Sequence, residues 1–315
     1  MPKTMRAISQ NELGGPEVLR LIETTRPEPG YGEVLVRVHA AGVNPVDPAA
    51  RETGLYIGKP PFILGWDVSG VVEEVGIGVT RFRVGDEVYG MPRFPHIAAA
   101  HAEYLTSPAR HLDHKPKGLT HTEAAAIPLV GLTAWQALVD TANLRAGETV
   151  LVHAAAGAIG QAVIQIAKHL GATVIGTARA ARHDFLRDLG ADQLIDYTTT
   201  DFTDIVNNVD VALSPLGGDY ATRTISVIRD GGRYVELQVD NHDAKHPEAT
   251  ARDITTTGFM LVEPDLAGMQ ALSRLVTDHG FNIHVGRTLP LAQAAEAHRL
   301  LRSKDVHGKI ILTVD

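Results

Sequence analysis

Apolar residues follow two different rhythms along this chain. Through the first ~120 residues they alternate with polar ones over short runs, and glycine and proline punctuate the gaps. Met5 to Ser9 and Val18 to Glu23 are predicted to pair around the turn Gly14-Gly15-Pro16. Glu33-Val-Leu-Val-Arg-Val-His-Ala40 alternates as a half-buried strand does. Gly65 to Gly76 and Arg83 to Gly90 continue the series of short strands. From about Thr122 the rhythm changes. Glu123-Ala-Ala-Ala-Ile-Pro128 and Thr133-Ala-Trp-Gln-Ala-Leu138 read as helices. Strands and helices then alternate: Val150–His153, Ala158–Leu170, Thr173–Gly176, Arg182–Leu189, Gln193–Asp196, with further strands at Val209–Leu213, Gly232–Leu237 and Gly258–Val262. Such alternation predicts a doubly wound parallel sheet, an α/β fold. Helices near Leu266–Asp278 and Leu291–Arg302 and a strand at Lys309–Val314 close the chain. A β-rich lobe (residues 1–122 with 263–315) and a doubly wound lobe (123–262) are expected, with a ligand between them at the carboxyl ends of the parallel strands.

The stretch around Gly157 carries the chemistry. A Val/Leu strand runs into Ala154-Ala155-Ala156-Gly157-Ala158-Ile159-Gly160, and apolar residues at helical spacing follow. A strand, a small-residue turn and a helix start suit a pyrophosphate. The backbone can approach it, and the free N–H groups of the first helical turn face its charge. Ala155 stands where the usual G-x-G-x-x-G has its first glycine; Gly157 and Gly160 are in register. The ligand-free alternative is an ordinary helix start in an α/β sheet.

Composition narrows the function classes. Of 315 residues, 44% are hydrophobic and 21% charged, as in ordinary globular proteins. A formal charge of −8 argues against nucleic acid or an anionic membrane as main partner. With no cysteine there is no disulfide, no thiolate nucleophile and no cysteine-based zinc site. No stretch reads as long enough to span a bilayer and the N-terminus lacks a signal-peptide run, so a cytoplasmic location is expected.

Which dinucleotide fits is read from the end of the second strand, Ile175-Gly-Thr-Ala-Arg-Ala-Ala-Arg-His183. An acid there would bind the ribose hydroxyls of NAD, yet none occurs before Asp184. Arg179 and Arg182 instead suit a 2′-phosphate, and NADPH is the expected cofactor. The plainer alternative is two solvated arginines. The missing acid also counts against a methyltransferase using S-adenosylmethionine.

An ordered set of short motifs resembles the medium-chain dehydrogenase/reductase superfamily, in its zinc-free quinone oxidoreductase (ζ-crystallin-like) branch. The set comprises Ala41-Gly-Val-Asn-Pro-Val-Asp47, Gly65-Trp-Asp-Val-Ser-Gly70, Arg83-Val-Gly-Asp-Glu-Val88, Ala102-Glu-Tyr104, Glu123-Ala-Ala-Ala-Ile-Pro128 and Gly131-Leu-Thr-Ala-Trp135. It continues with His153-Ala-Ala-Ala-Gly-Ala-Ile-Gly160, Leu189-Gly-Ala-Asp192, Ile195-Asp-Tyr197 and Gly308-Lys-Ile-Ile311. The resemblance implies a GroES-like β-barrel catalytic domain plus a Rossmann domain. It implies cofactor contacts at Asn44, Thr133, the turn Ala156 to Gly160, Tyr197, Leu237 and Gln238, and a pocket-lining Tyr56 able to donate to a reduced oxygen. Zinc members hold metal through a Cys and a His where this chain has Asn44 and Trp66, so no metal is expected. Simpler roles stand beside these: Asn44 as a turn residue, Thr133 as a helix-start cap, Trp66 as core rather than a stacking surface, and Tyr56 as loop packing. His96, His101, His111 and His114 are expected on the surface or in loops.

The function expected is zinc-independent, NADPH-dependent hydride transfer to a quinone or other conjugated carbonyl. An enoyl/alkenal or biosynthetic tailoring reductase is the enzymatic alternative; an NADPH-binding structural or regulatory protein is the alternative of another class. A homodimer through an edge strand at 258–262 is expected, as is a solvated loop from Asp240 to Glu248.

Overall fold

The computed structural model describes residues 3–237, 246–303 and 306–314; Gln238 and most of the polar run after Asp240 lie outside them. The chain divides into two units. One runs to Leu132 and resumes at Glu263; the other spans Thr133–Val262. The first junction thus falls at 132/133, where the sequence suggested 122/123.

In the second unit six strands form one parallel sheet. Its order is Gln193–Ile195, Thr173–Thr177, Thr149–Val152, Val209–Ser214, Ile228–Glu236, Thr255–Phe259. Numbered along the chain this is 3-2-1-4-5-6, the order that binds dinucleotides at the carboxyl ends of the strands beside the 1/4 switch point. The core strands are near-continuous Val, Leu and Ala because both faces are covered: Val150, Leu151, Val211, Ala212 and Leu213 are wholly buried. The edge strand ends at Phe259, so the predicted span of 258–262 is corrected to Thr255–Phe259; Gly258 has a positive φ and cannot extend a regular ladder far.

The first unit is built on long-range antiparallel pairing. The 11-residue strand Glu33–Val43 pairs with Asp67–Val75, with Tyr104–Pro108 and, through Ala40–Val43, with the C-terminal strand Lys309–Thr313. Val285–Pro290 runs parallel to that last strand. A separate three-stranded sheet joins Thr4–Gln10 to Arg20–Thr25 and Phe62–Ile63. Helix Leu266–His279 starts on Asp265, whose carboxylate accepts from the N–H groups of Ala267 and Gly268, and stops at Gly280 in the left-handed region.

The helical run His121–Thr141 corrects one sequence reading. At 21 residues and mean hydropathy 1.2 it is long and apolar enough to cross a bilayer, yet 72% of its apolar window is buried within the fold, as in a core helix.

Candidate functional site

The turn after the first Rossmann strand is shaped by close approach. Ala154 takes a φ of 52°, so the left-handed step falls one residue before Ala155 and lets alanine stand where a first glycine is usual. The N–H of Ala155 donates to Thr177 O (3.0 Å) and that of Gly157 to Ala154 O (2.8 Å). A Cβ on Gly160 would lie 2.5 Å from Ala155 O, so only glycine lets the helix pack against the turn. Gly157 itself is exposed and would meet nothing nearer than Ala154 O at 3.2 Å. Helix Ala158–His169 begins there with no side-chain cap, and the N–H groups of Ala158, Ile159 and Gly160 remain available to an anion. This is a cradle a pyrophosphate fits.

His153 holds the cradle in place. The ring is buried, with Nε2 2.9 Å from Thr224 Oγ1 and Nδ1 3.1 Å from Thr177 Oγ1. Thr224 spends its proton on Tyr220 O (2.6 Å), so Nε2–H donates to Thr224 and Thr177 donates to Nδ1. The ring is neutral because burial, helped by the nearby Arg223 charge, pushes its pKa down to about 4. Sequence reading placed His153 in a motif and gave it no role; its signal was a polar residue ending an otherwise apolar strand.

Arg179, Arg182, Tyr197 and Leu237 all follow the carboxyl ends of the parallel strands. Arg179 stands two residues past the second strand, is exposed, and its Nε donates to Tyr197 OH at 3.2 Å. Arg182 ends the short 3-10 turn Ala180–Arg182 and is also exposed. Leu237 donates its N–H to Ser214 O (2.9 Å), beyond the fourth and fifth strands. Thr133 is 6% exposed and lies inside helix Pro128–Trp135, so it is not the helix-start cap.

In the first unit Asn44 belongs to a buried polar hub. Its Nδ2 donates to Asp67 Oδ2 (2.8 Å), and Lys309 Nζ donates to Asn44 Oδ1 (2.5 Å) and Asp67 Oδ2 (2.7 Å). Asp67 Oδ1 accepts from Leu129 N (2.7 Å), and Asp47 accepts from Asn44 N (2.7 Å) and Gly65 N (3.1 Å). All four side chains are buried, Asn44, Asp47 and Asp67 completely. Burial raises the Asp47 pKa to about 7, although the backbone donors and the Lys309 charge pull the other way. His101 is also wholly buried, which holds its pKa down to about 4, so it corrects the expectation of a surface histidine.

Trp66 is core. It is 1% exposed, its indole N–H donates to His96 O (2.7 Å), and its ring meets Phe94 edge-on at 5.3 Å. It anchors the 94–96 loop and presents no free face for stacking. That loop walls a hollow of about 590 Å³ lined by Tyr56, Ile57, Arg93, Phe94, Ile97 and His111 among others. Tyr56 takes a φ of 66°, and its hydroxyl is buried there without a hydrogen-bond partner among the described residues. Burial raises the phenol pKa, which keeps it a donor at neutral pH.

Comparison with known proteins gives a consistent picture. Residues 30–178 match the alcohol dehydrogenase GroES-like domain family, and residues 189–312 match the zinc-binding dehydrogenase family. A rat quinone oxidoreductase is 32% identical over 98% of both chains. A 2-haloacrylate reductase from Burkholderia sp is 32% identical over 95% of this chain and 96% of its own. Among solved structures, the quinone oxidoreductase of Coxiella burnetii superposes with a TM-score of 0.92 at 34% identity, covering 99% of this chain and all of that one. A mycobacterial protein solved with NADPH gives 0.86 at 30% identity over 98% and 99%.

The zinc in one family description finds no ligand set here. The amide oxygen of Asn44 is occupied by an ammonium, the Trp66 indole is a buried donor, and no cluster of three or more His, Asp or Glu able to hold a metal occurs among the described residues. The sheet order, the glycine cradle and the two family matches converge, and the chain belongs to the medium-chain dehydrogenase/reductase superfamily, in its quinone oxidoreductase branch, as an oxidoreductase with a GroES-like domain and a nicotinamide-dinucleotide-binding fold.

Proposed function

We propose that this protein is a zinc-independent, NADPH-dependent reductase of quinones and other conjugated carbonyls. The observation that carries the cofactor choice is the end of the second Rossmann strand, where Arg179 and Tyr197 stand together, Arg182 follows, and no carboxylate precedes Asp184. Ala156 to Gly160 cradle the pyrophosphate, and Leu237 and Thr133 serve the nicotinamide side. Asn44 contributes by position: its amide is held by Asp67 and Lys309, which fixes the backbone leading into Asp47.

When bound, the reduced nicotinamide supplies the hydride. The protein's task is to orient the acceptor and to meet charge as it develops on oxygen. Phe94, Ile57 and Ile97 give the hollow apolar walls suited to a flat acceptor, and the Tyr56 phenol offers a hydrogen bond inside it. A quinone and an enone share this chemistry, hydride addition to a conjugated system whose electrons end on oxygen. The 2-haloacrylate reductase relative favours a second reading on the same site, reduction of an activated C=C bond. The open edge of Thr255–Phe259 supports a homodimer formed by strand addition.

The test is fluorescence titration with NADPH and NADH, repeated for Arg179→Ala and Arg182→Ala. NADPH is expected to bind at least 10-fold more tightly than NADH, and loss of one phosphate contact to weaken it by about 1.5–3 kcal/mol. Equal affinity for the two nucleotides would overturn the assignment. Turnover with 1,4-naphthoquinone and with an enone then separates the two substrate readings.

A further inference from the structure

The hollow holding Tyr56 has a second polar feature that the proposed reaction has not yet used. Arg93, in the left-handed region at φ 57°, directs its N–H to His111 Nδ1 at 3.0 Å. A left-handed arginine is a strained choice, held in place by its guanidinium, which pairs with Glu33 and donates to Thr106 Oγ1 (3.3 Å). An imidazole nitrogen that accepts from an amide carries no proton, so in neutral His111 the proton sits on Nε2. Burial, with the Arg93 and Arg110 charges beside it, lowers the His111 pKa and keeps the ring neutral. Three facts therefore coincide on one wall: a fixed tautomer, a strained residue that fixes it, and a hollow.

The lining of that hollow is one-sided in hydrogen-bonding sense. Among the described residues its lining, which includes Tyr56, Ile57, Arg93, Phe94, Ile97 and His111, holds no aspartate or glutamate. The Tyr56 hydroxyl is buried and has no hydrogen-bond partner among the described residues. Such a wall gives hydrogen bonds more readily than it accepts them, and the ligand it recognises is one carrying an acceptor oxygen on a flat apolar body.

We propose that His111 is a substrate-binding residue, whose Nε2–H donates a hydrogen bond to the carbonyl or quinone oxygen of the acceptor alongside Tyr56. The inference rests on the proposed function and names the group that selects the acceptor. It asks for a hydrogen bond only; the proton that completes reduction comes from solvent. The role differs from simple packing, because only one of the two ring nitrogens faces the task while the other serves Arg93.

Two isosteric changes separate the nitrogens. His111→Asn keeps an acceptor near the Nδ1 position, and so keeps the Arg93 contact, but removes the Nε2 donor. His111→Gln keeps a donor near the Nε2 position and gives up the Nδ1 acceptor. With 1,4-naphthoquinone as acceptor, His111→Asn is expected to lower kcat/KM on the order of 100-fold, with NADPH affinity and melting temperature unchanged, and His111→Gln to recover most of that loss. The reverse order, with Asn active and Gln impaired, would show that His111 only supports the Arg93 turn and would overturn the inference. So would wild-type turnover in both variants. Nitrogen-15 NMR of the ring gives a readout independent of turnover: the Nε2–H tautomer is expected in the free protein, and Nδ1–H would overturn the inference even in an active enzyme. A wild-type protein with the expected tautomer that binds NADPH but reduces neither quinone nor enone would instead count against the proposed function.

Discussion

The two units build their sites from different materials. In the Rossmann unit the cradle is backbone: the N–H groups of Ala158 to Gly160, a left-handed Ala154 and a missing Cβ at Gly160. The buried titratable side chain at the turn, His153, hydrogen-bonds hydroxyls and packs edge-on against Phe202 and Tyr220, with no charged partner in contact among the described residues. In the barrel unit the hub is made of side chains, with Asn44, Asp47, Asp67 and Lys309 taken out of water together. A backbone site tolerates side-chain change so long as the chain path survives, which is why Ala155 can stand in a glycine position. A side-chain hub depends on every member, because a buried charge that loses its partner is left without solvent to replace it.

The largest expected effect tests that dependence. Lys309→Met leaves Asp67 buried without its cation and should cost about 3–5 kcal/mol of stability in denaturant unfolding. Adding Asp67→Leu removes the stranded charge and should return a substantial part of it, even though Leu129 N and Asn44 Nδ2 lose an acceptor. NADPH affinity should change little where the protein remains folded, since the cradle takes nothing from Lys309. A cost below about 1 kcal/mol for Lys309→Met would mean the hub is not held by charge, and the contrast between the units would fail.

The same contrast explains what could be read in the sequence. The Rossmann strands and helices are local, each formed from consecutive residues in one hydrophobic rhythm, so Ala158–His169 and Thr173–Thr177 were legible to within a residue. The cradle was legible for the same reason. Strands such as Tyr104–Pro108, Leu112–His114 and Val285–Pro290 were missed because their pairing is long-range and their patterns are short. The 3-10 turn Pro16–Val18 took the first residue of a predicted strand. The hub could not be read at all. Asn44, Asp67 and Lys309 meet only after residues 242 or more positions apart are folded together, and nothing near Lys309 in sequence announces a buried ammonium. Trp66 and His101 illustrate the converse: the sequence leaves Trp66 open between a stacking surface and the core and puts His101 on the surface or in a loop, and tertiary packing makes both core.

Acid pH should reach both units through their buried histidines, with an effect of intermediate size. Burial pushes His101 and His153 down to about 4 in the folded state, against about 6.5 in an unfolded chain. Between those values the unfolded chain binds protons that the folded one refuses, so stability is full above pH ~6.5 and falls as pH drops toward 4. Each such histidine accounts for about 3 kcal/mol at the limit. Asp47 works the other way: its folded pKa of about 7 exceeds the unfolded value, so acidification through that range stabilises the hub. The barrel unit also holds His121 and His298, which burial pushes down to about 4 and about 2, so the single Asp47 counterweight is outweighed and this unit should lose stability first. Hydrogen exchange at pH 7 and pH 5 measures this unit by unit. Earlier opening of the Rossmann unit on acidification would overturn this ranking.

The smallest expected effect tests a side-chain support of the backbone-built site, the His153 ring. Thr224→Val keeps the shape and removes the acceptor of the His153 Nε2–H, leaving a buried donor unpaired at a cost of about 1–3 kcal/mol. Thr177 still donates to Nδ1, so the ring should stay in place and the turn should keep its path. Overall unfolding should shift modestly, and NADPH affinity should fall no more than about 10-fold, equivalent to ~1.4 kcal/mol. His153→Leu, which cuts both hydroxyl links, should weaken NADPH further than Thr224→Val does. If Thr224→Val alone abolished NADPH binding while the unit remained folded, the cradle would depend on its side chains as the hub does. The backbone would then not be sufficient to make the site.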